Sequence, residues 1–303
     1  MAEVQRRPDH SGDNRIMHRL AVVFCGLALV RLVAAQDRPL PDPGAFTARV
    51  KAHLSTDDER QSGYTYVERA TQTKVDGKGQ TTDTSVKVFE VYPGLPGESR
   101  YRRLIEENGR PVPTDKLASE DRSRQKTAES YARTVSTAGG RDQETRKQDK
   151  DRRELQAAID DLFRVYDVRF IGRESIDGRD AIVATATPRP GVKPTTDDGK
   201  MMQHFRARAW INEADAEIAR VEIEALDDLS FGWGLFARVH KGARAMYERR
   251  KINDEIWLPA RVTWTGSARL FLVKQERMSG VSEFSNYRKF TVGTSTTYGA
   301  PPR

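Results

Sequence analysis

Three pairs of alternating runs, each folded about a turn signal, narrow the fold of this chain more than any other feature. Residues 169–175 and 181–187 flank Asp177-Gly178, 205–211 and 218–225 flank an acidic turn, and 245–251 and 256–265 flank Asn253-Asp254. Side chains in a strand alternate between faces, so Phe205, Ala207, Ala209 and Ile211 share one face and Arg206, Arg208 and Trp210 the other. Val221, Ile223 and Ala225 oppose Arg220, Glu222 and Glu224 in the same way. Upstream, residues 64–75 and 84–91 flank Asp76-Gly77, and a third run, 99–106, closes at Asn108-Gly109. Hairpin following hairpin predicts an antiparallel meander, a sheet with one face free to stay wet.

Helices are expected at two places. Asp42-Pro43 ahead of Phe46, Val50 and Leu54 is a capped amphipathic start. Residues 114–153 hold eleven Lys or Arg and eight Asp or Glu around only three large apolar side chains, Leu117, Tyr131 and Val135. Such a stretch anchors no core. It reads as solvated helix with a break at Gly139-Gly140, becoming amphipathic where Leu155, Ile159, Leu162, Phe163 and Tyr166 share a face. Residues 188–200 read as a loop within the β region.

The first 35 residues carry an export signal. Met17-His18-Arg19 precedes the apolar stretch 20–30, and Val33-Ala34-Ala35 precedes Gln36-Asp37. Translation is expected to start at Met17 and cleavage to follow Ala35, leaving a single domain over 36–303 with a charged helical insertion at about 114–153. Eleven apolar residues are too few for a membrane span, which takes about 20, so the mature form is expected to have no integral span and to be periplasmic. Cys25, the one cysteine, follows Val22-Val23-Phe24 rather than the small residue a lipidation signal requires. The processed chain therefore has no disulfide, thiolate site or cysteine nucleophile.

The net charge of +7 comes from 51 basic and 44 acidic residues interleaved along the chain, unlike the segregated patch of a nucleic-acid binder, and no nucleic acid is expected. His53, His204 and His240 stand at no metal-ligand spacing. Phosphate loop, zinc-protease helix and nucleophile elbow are absent, and the acidic pairs Asp160-Asp161, Asp197-Asp198 and Asp227-Asp228 point apart on helix or strand. The expectation is a non-enzyme without catalytic residues, metal or cofactor. The most distinctive segment is 229–242, where Phe231, Trp233 and Phe236 interleave with Gly232 and Gly234, a composition suited either to an apolar flap or to core packing.

The order of signal, first helix, long hairpin, helical piece and meander resembles the lipoprotein-carrier family (LolA/LolB-like). So do Trp210-Ile211 before an acidic turn, Gly232-Trp233-Gly234 with Lys241-Gly242, Trp257-Leu258-Pro259 and Tyr287-Arg288-Lys289-Phe290. The resemblance covers roughly residues 45–292; the charged insertion after Pro113 departs from it. It implies a mainly β fold with flanking helices, the antiparallel sheet curled into an unclosed half-barrel covered by helices. It also implies a carrier or sensor of lipid or lipoprotein acyl chains, since an apolar cavity binds such chains with no polar motif. Trp210, Phe231, Trp233, Phe236, Trp257, Trp264 and Phe271 are the candidate lining. Two other classes stay open: a protein-interaction module with an envelope protein partner, using the charged arm, and an exported hydrolase with an unfamiliar site.

Overall fold

The computed structural model describes residues 38–76, 78–231, 237–270 and 274–289. The chain divides into two compact units between Pro41 and Asp42. The first unit, with the expected signal, lies outside the described residues except for 38–41; the second carries every helix and strand named below.

Helix α1, Pro43–Leu54, starts where the sequence places it: the Asp42 Oδ1 accepts a hydrogen bond from the Ala45 N–H at 2.8 Å, and Phe46 and Val50 are buried. A short α2, Asp57–Gln61, follows. Then come β1 (Tyr64–Val75), β2 (Thr81–Tyr92), β3 (Tyr101–Glu107) and the two-residue β4 (Arg110–Pro111). The charged stretch is two long helices, α3 (Thr114–Ser136) and α4 (Ala138–Val165). Next are β5 (Tyr166–Ile176), β6 (Arg179–Pro188), a short α5 (Asp197–Met202) that replaces the end of the loop expected over 188–200, its start capped by the Thr196 hydroxyl accepting from the Gly199 N–H, then β7 (Phe205–Asn212) and β8 (Ile218–Ala225). The chain continues through β9 (Leu229–Phe231), β10 (Ala237–Val239), β11 (Arg244–Ile252), β12 (Ile256–Leu270) and β13 (Lys274–Lys289).

The turns follow from their residues. Asn108 and Gly109 (φ 51° and 77°), Asp177 and Gly178 (49° and 74°) and Asn253 and Asp254 (52° and 55°) all take the left-handed backbone that tight hairpins require. Asp76 uses its side chain instead, its Oδ1 accepting from the Lys78 and Gln80 N–H groups.

The strands form one antiparallel sheet in the order β4-β3-β2-β1-β13-β12-β11-β8-β7-β6-β5, with β9 and β10 hairpinned beside β12. The sheet is not closed into a barrel. The first strand pairs with the last, β1 with β13, along nearly its whole length. The charged helices leave from β4 at one sheet edge and return into β5 at the other. They are therefore the covalent link between the two edges.

One face of the sheet carries the N-terminal helices. Phe46 and Val50 pack on Ile182, Ala184 and Ile211, with Phe46 edge-on to Phe170 at 5.6 Å. A second cluster joins Tyr64, Ile256 and Leu258. Buried charge fixes where the helices end: the Arg249 guanidinium (β11) donates to Asp57 Oδ1 of α2 at 2.6 Å, to the Trp257 carbonyl at 2.7 Å and to Glu217 Oε2 at 3.3 Å. Arg60 and His53 both reach Glu217, which is 4% exposed.

Candidate functional site

The helix-bearing face runs on past α1 and α2 as an apolar strip. Ala207 pairs with Ile223, Ile223 with Ala245, Ala245 with Trp264, and Trp264 with Gly280. Ala207 lies an even number of residues from Ile211, so this rung shares the face on which Phe46 sits. The Trp264 indole lies over Gly280, where any Cβ would overlap it. Ile223 is 37% exposed, one of the few large apolar side chains so open. The strip is thus continuous with a packed core and partly open to solvent, with Ile223 exposed, Ala207, Ala245 and Trp264 half-buried and Gly280 buried.

Closer to the helices the same face is filled. Tyr66 meets Phe284 edge-on at 5.5 Å and Tyr287 at 6.0 Å. Burial pushes the Tyr247 phenol up to about 12, and Tyr66 and Tyr287 add to the rise although Arg249 opposes it. Side chains from β1, β11 and β13 thus influence one another across the sheet.

A groove of about 870 Å³ crosses β6, β7, β8, β11, β12 and β13 over three successive rungs. Its outer rungs run Arg208, Glu222, Met246, Thr263, Val281 and Arg206, Glu224, Arg244, Thr265, Ser279; its middle rung is the apolar strip. Neighbouring rungs project to opposite faces. Thr185 and Thr187 line the groove while Ala186 between them does not, so it opens away from the helices. There the middle rung offers its backbone, and Trp264 and Ile223 point to the other side. The groove's charges are matched: Glu224 takes Arg206 at 2.8 Å and Arg244 at 3.1 Å, and Arg208 reaches Glu174 at 2.7 Å. The Arg206 hydrogen bond is the main reason the Glu224 carboxyl lies below its usual range.

At the strand ends a second hollow, about 680 Å³, is lined by Val75, His240, Lys241, Gly242, Ala243, Thr265, Gly266, Arg277, Met278 and Ser279. It adjoins the groove through Thr265 and Ser279. Both volumes fall within the roughly 300–1,000 Å³ of small-molecule sites.

Of the seven aromatic candidates, Trp210 is 4% exposed on the face away from the helices. Its Nε1 donates to Glu174 at 2.7 Å, with the Arg208 and Arg220 guanidinium carbons 4.8 and 5.2 Å from its ring. Trp257 is 2% exposed and donates to Asp215 Oδ2 at 2.9 Å. Burial raises the Asp215 carboxyl, but hydrogen bonds from Lys251, Trp257 and the Glu217 backbone outweigh it and hold the group below its normal value. Trp264 alone of the described tryptophans lies on the apolar strip. Phe231 is placed by its backbone in β9, and Trp233, Phe236 and Phe271 lie outside the described residues.

Residues the sequence did not single out as lining are Ile223, Ala245, Lys241 and Arg277. Alternation gives the face of Ile223, but nothing local shows that the helices stop short of it. Among the described residues no group of His, Cys, Asp or Glu is placed to hold a metal ion, and no helix is long and apolar enough to cross a membrane.

No family model matches the sequence, and no curated protein matches it. Among solved structures the chain is similar to a putative outer membrane lipoprotein-sorting protein domain from Vibrio parahaemolyticus, at 8% identity and TM-score 0.33 over 82% of this chain and 93% of that one. It is also similar to a DUF1329 family protein from Desulfovibrio piger, at 14% identity and TM-score 0.29 over 85% and 97% of the two chains. A LolA superfamily protein from Nitrosomonas europaea matches at 12% identity and TM-score 0.27 over 80% and 93%.

Proposed function

We propose that the protein binds the acyl chain of a lipid or lipoprotein, without catalysis, as a carrier or sensor in the periplasm after export by a cleavable signal. The observation that supports this reading best is the open strip of Ala207, Ile223, Ala245 and Trp264 beyond the helices. A chain laid there gains about 0.8 kcal/mol per methylene removed from water, so ten methylenes supply on the order of 8 kcal/mol before ordering costs. The outer groove, its charges already paired, fits an apolar chain less well. Binding of a fluorescent fatty acid to the processed protein tests the assignment. Ile223→Asp should weaken it at least tenfold, and Thr187→Asp, in the outer groove, should leave it unchanged; the reverse pattern would move the site to the other face.

A second reading, capture of an envelope protein by the charged helices, is favoured by one observation: none of the 23 residues of α3 is buried. Arg103 holds it to the sheet through Asp121 at 2.7 and 2.9 Å, and Arg124 through Glu98 at 2.8 Å. Charge reversal at the exposed Lys126 and Arg133 should disturb partner capture and leave fatty-acid binding intact if this reading holds.

A further inference from the structure

We infer that the outer edge of β5 pairs with the same edge of a second copy of this chain, the two molecules joining antiparallel about Val168 into one continuous sheet. This is independent of the acyl-binding reading, since the strip runs from β7 to β13 and the edge lies on the far side of β6.

The two ends of the sheet are finished differently. One end is β4, two residues long and closing on Pro111, which has no N–H to offer a neighbour. The other is β5, eleven residues long. Among the described residues only β6 hydrogen-bonds to the backbone of residues 167–170, so the groups that alternate away from β6 are left to solvent. Such an edge is a template for another strand.

The residues at that edge are self-complementary. Tyr166-Asp167-Val168-Arg169-Phe170 has an aromatic ring at each end, opposite charges at the second and fourth places and valine at the centre. In an antiparallel pair about Val168, valine meets valine, Tyr166 meets Phe170, and Asp167 meets Arg169 twice over by symmetry. The faces agree as well. Tyr166, Val168 and Phe170 stand opposite Pro188, Ala186 and Ala184 on the helix-bearing side, and Asp167 and Arg169 opposite Thr187 and Thr185 on the other. A two-fold axis normal to the sheet carries each face into itself, so charge is set against charge and apolar against apolar. Within one molecule Asp167 and Arg169 approach to 2.6 Å, yet they remain 40% and 75% exposed, and each gains a second opposite charge across the seam.

Just past this segment the register shifts between Phe170 and Gly172, and the extra residue, Ile171, is 53% exposed, the most open large apolar side chain among the described residues. The bulge ends the regular ladder. In the pair, Ile171 falls opposite the junction of α4 and β5 in the second copy, which takes it out of water. Five paired residues a side make a small interface of the transient class, so the dimer is expected only at high protein concentration.

Sedimentation equilibrium of the processed protein over a wide concentration range tests this. The wild type should associate reversibly to a dimer. Asp167→Arg or Arg169→Asp alone sets like charges against each other at both symmetric positions and should weaken that dimer about tenfold. Mixed together, the two variants should pair with each other about as tightly as the wild type pairs with itself, because each supplies the charges that the other has lost. Variants that merely fold badly would show no such rescue. A wild type that stays monomeric overturns the inference and leaves the edge to a strand of another protein. A dimer that neither variant weakens, or weakened variants that fail to pair on mixing, would assign the association to another surface and overturn it too. Fatty-acid binding should be the same in all these proteins, so the acyl reading stands or falls separately.

Discussion

Gly280 and Trp264 form a lock whose parts are useful only together. The indole occupies the space of the missing side chain, so Gly280→Ala forces the ring off the strip and should cost about 1–3 kcal/mol by overpacking. Trp264→Leu in the same chain should recover most of that loss, a coupling that a urea-unfolding double-mutant cycle measures directly. Additive effects would mean that the ring is not held against Gly280. The other described tryptophans show how much of the site the sequence reveals. Alternation places Trp210 opposite Ala207 and Ile211, as observed. Its burial depends on Glu174, 36 residues earlier, and that of Trp257 on Asp215, 42 residues earlier. Local pattern identifies a strand's faces; distant hydrogen-bond partners decide which aromatic is consumed by the core.

Among the elements, α1 and α2 set the boundary of the open strip, and Arg249 holds α2 in place. Arg249→Met leaves Glu217, 4% exposed, facing fewer cations in a buried setting and should destabilise the protein by about 3–5 kcal/mol. The second change Glu217→Gln should restore part of that loss. Asp215, whose carboxyl lies below its normal value through Lys251 and Trp257, ties the turn before β8 to β11 and β12. A lowered carboxyl contributes stability above its unfolded pKa and loses it as pH falls through the folded value. The wild type should therefore lose urea resistance below about pH 4, and Asp215→Asn should flatten part of that decline. The first helix and the charged helical stretch were legible except at the latter's break, whereas the short α2 and α5, each with too few residues to show a helical period, were not. Two glycines predict the break at Gly139-Gly140, but it falls at Thr137, whose hydroxyl accepts from the Gly140 N–H at 3.0 Å. Gly140 is needed there because a Cβ would overlap the Thr134 carbonyl oxygen, so the glycine serves the entry to α4 rather than a loose joint.

Across the whole molecule, the meander was readable from turn residues alone, whereas the pairing of β1 with β13 and the return of the helical link to the far edge were not. Both join segments far apart in sequence, and strand alternation carries no information on which distant strand is the neighbour. That closure gathers tyrosines on the helix-bearing side, and burial pushes Tyr247 and Tyr287 up to about 12, as it does Tyr166 at the start of β5. A raised phenol supports the fold fully below its unfolded pKa near 10 and ceases to do so as pH climbs through the folded value. Stability should accordingly decline between about pH 10 and 12, with native phenolate absorbance appearing late; titration of all the phenols near 10 would contradict the packing described. The central claim is that an acyl chain lies on the strip beyond the helices, and photolabelling of the processed protein with a diazirine fatty acid tests it most directly. Adducts are expected on Ile223, Ala245 and Trp264, abolished by excess hexadecanoic acid. Adducts confined to the outer groove, at Thr187, Met246 or Thr263, or labelling that excess acid does not displace, would contradict it.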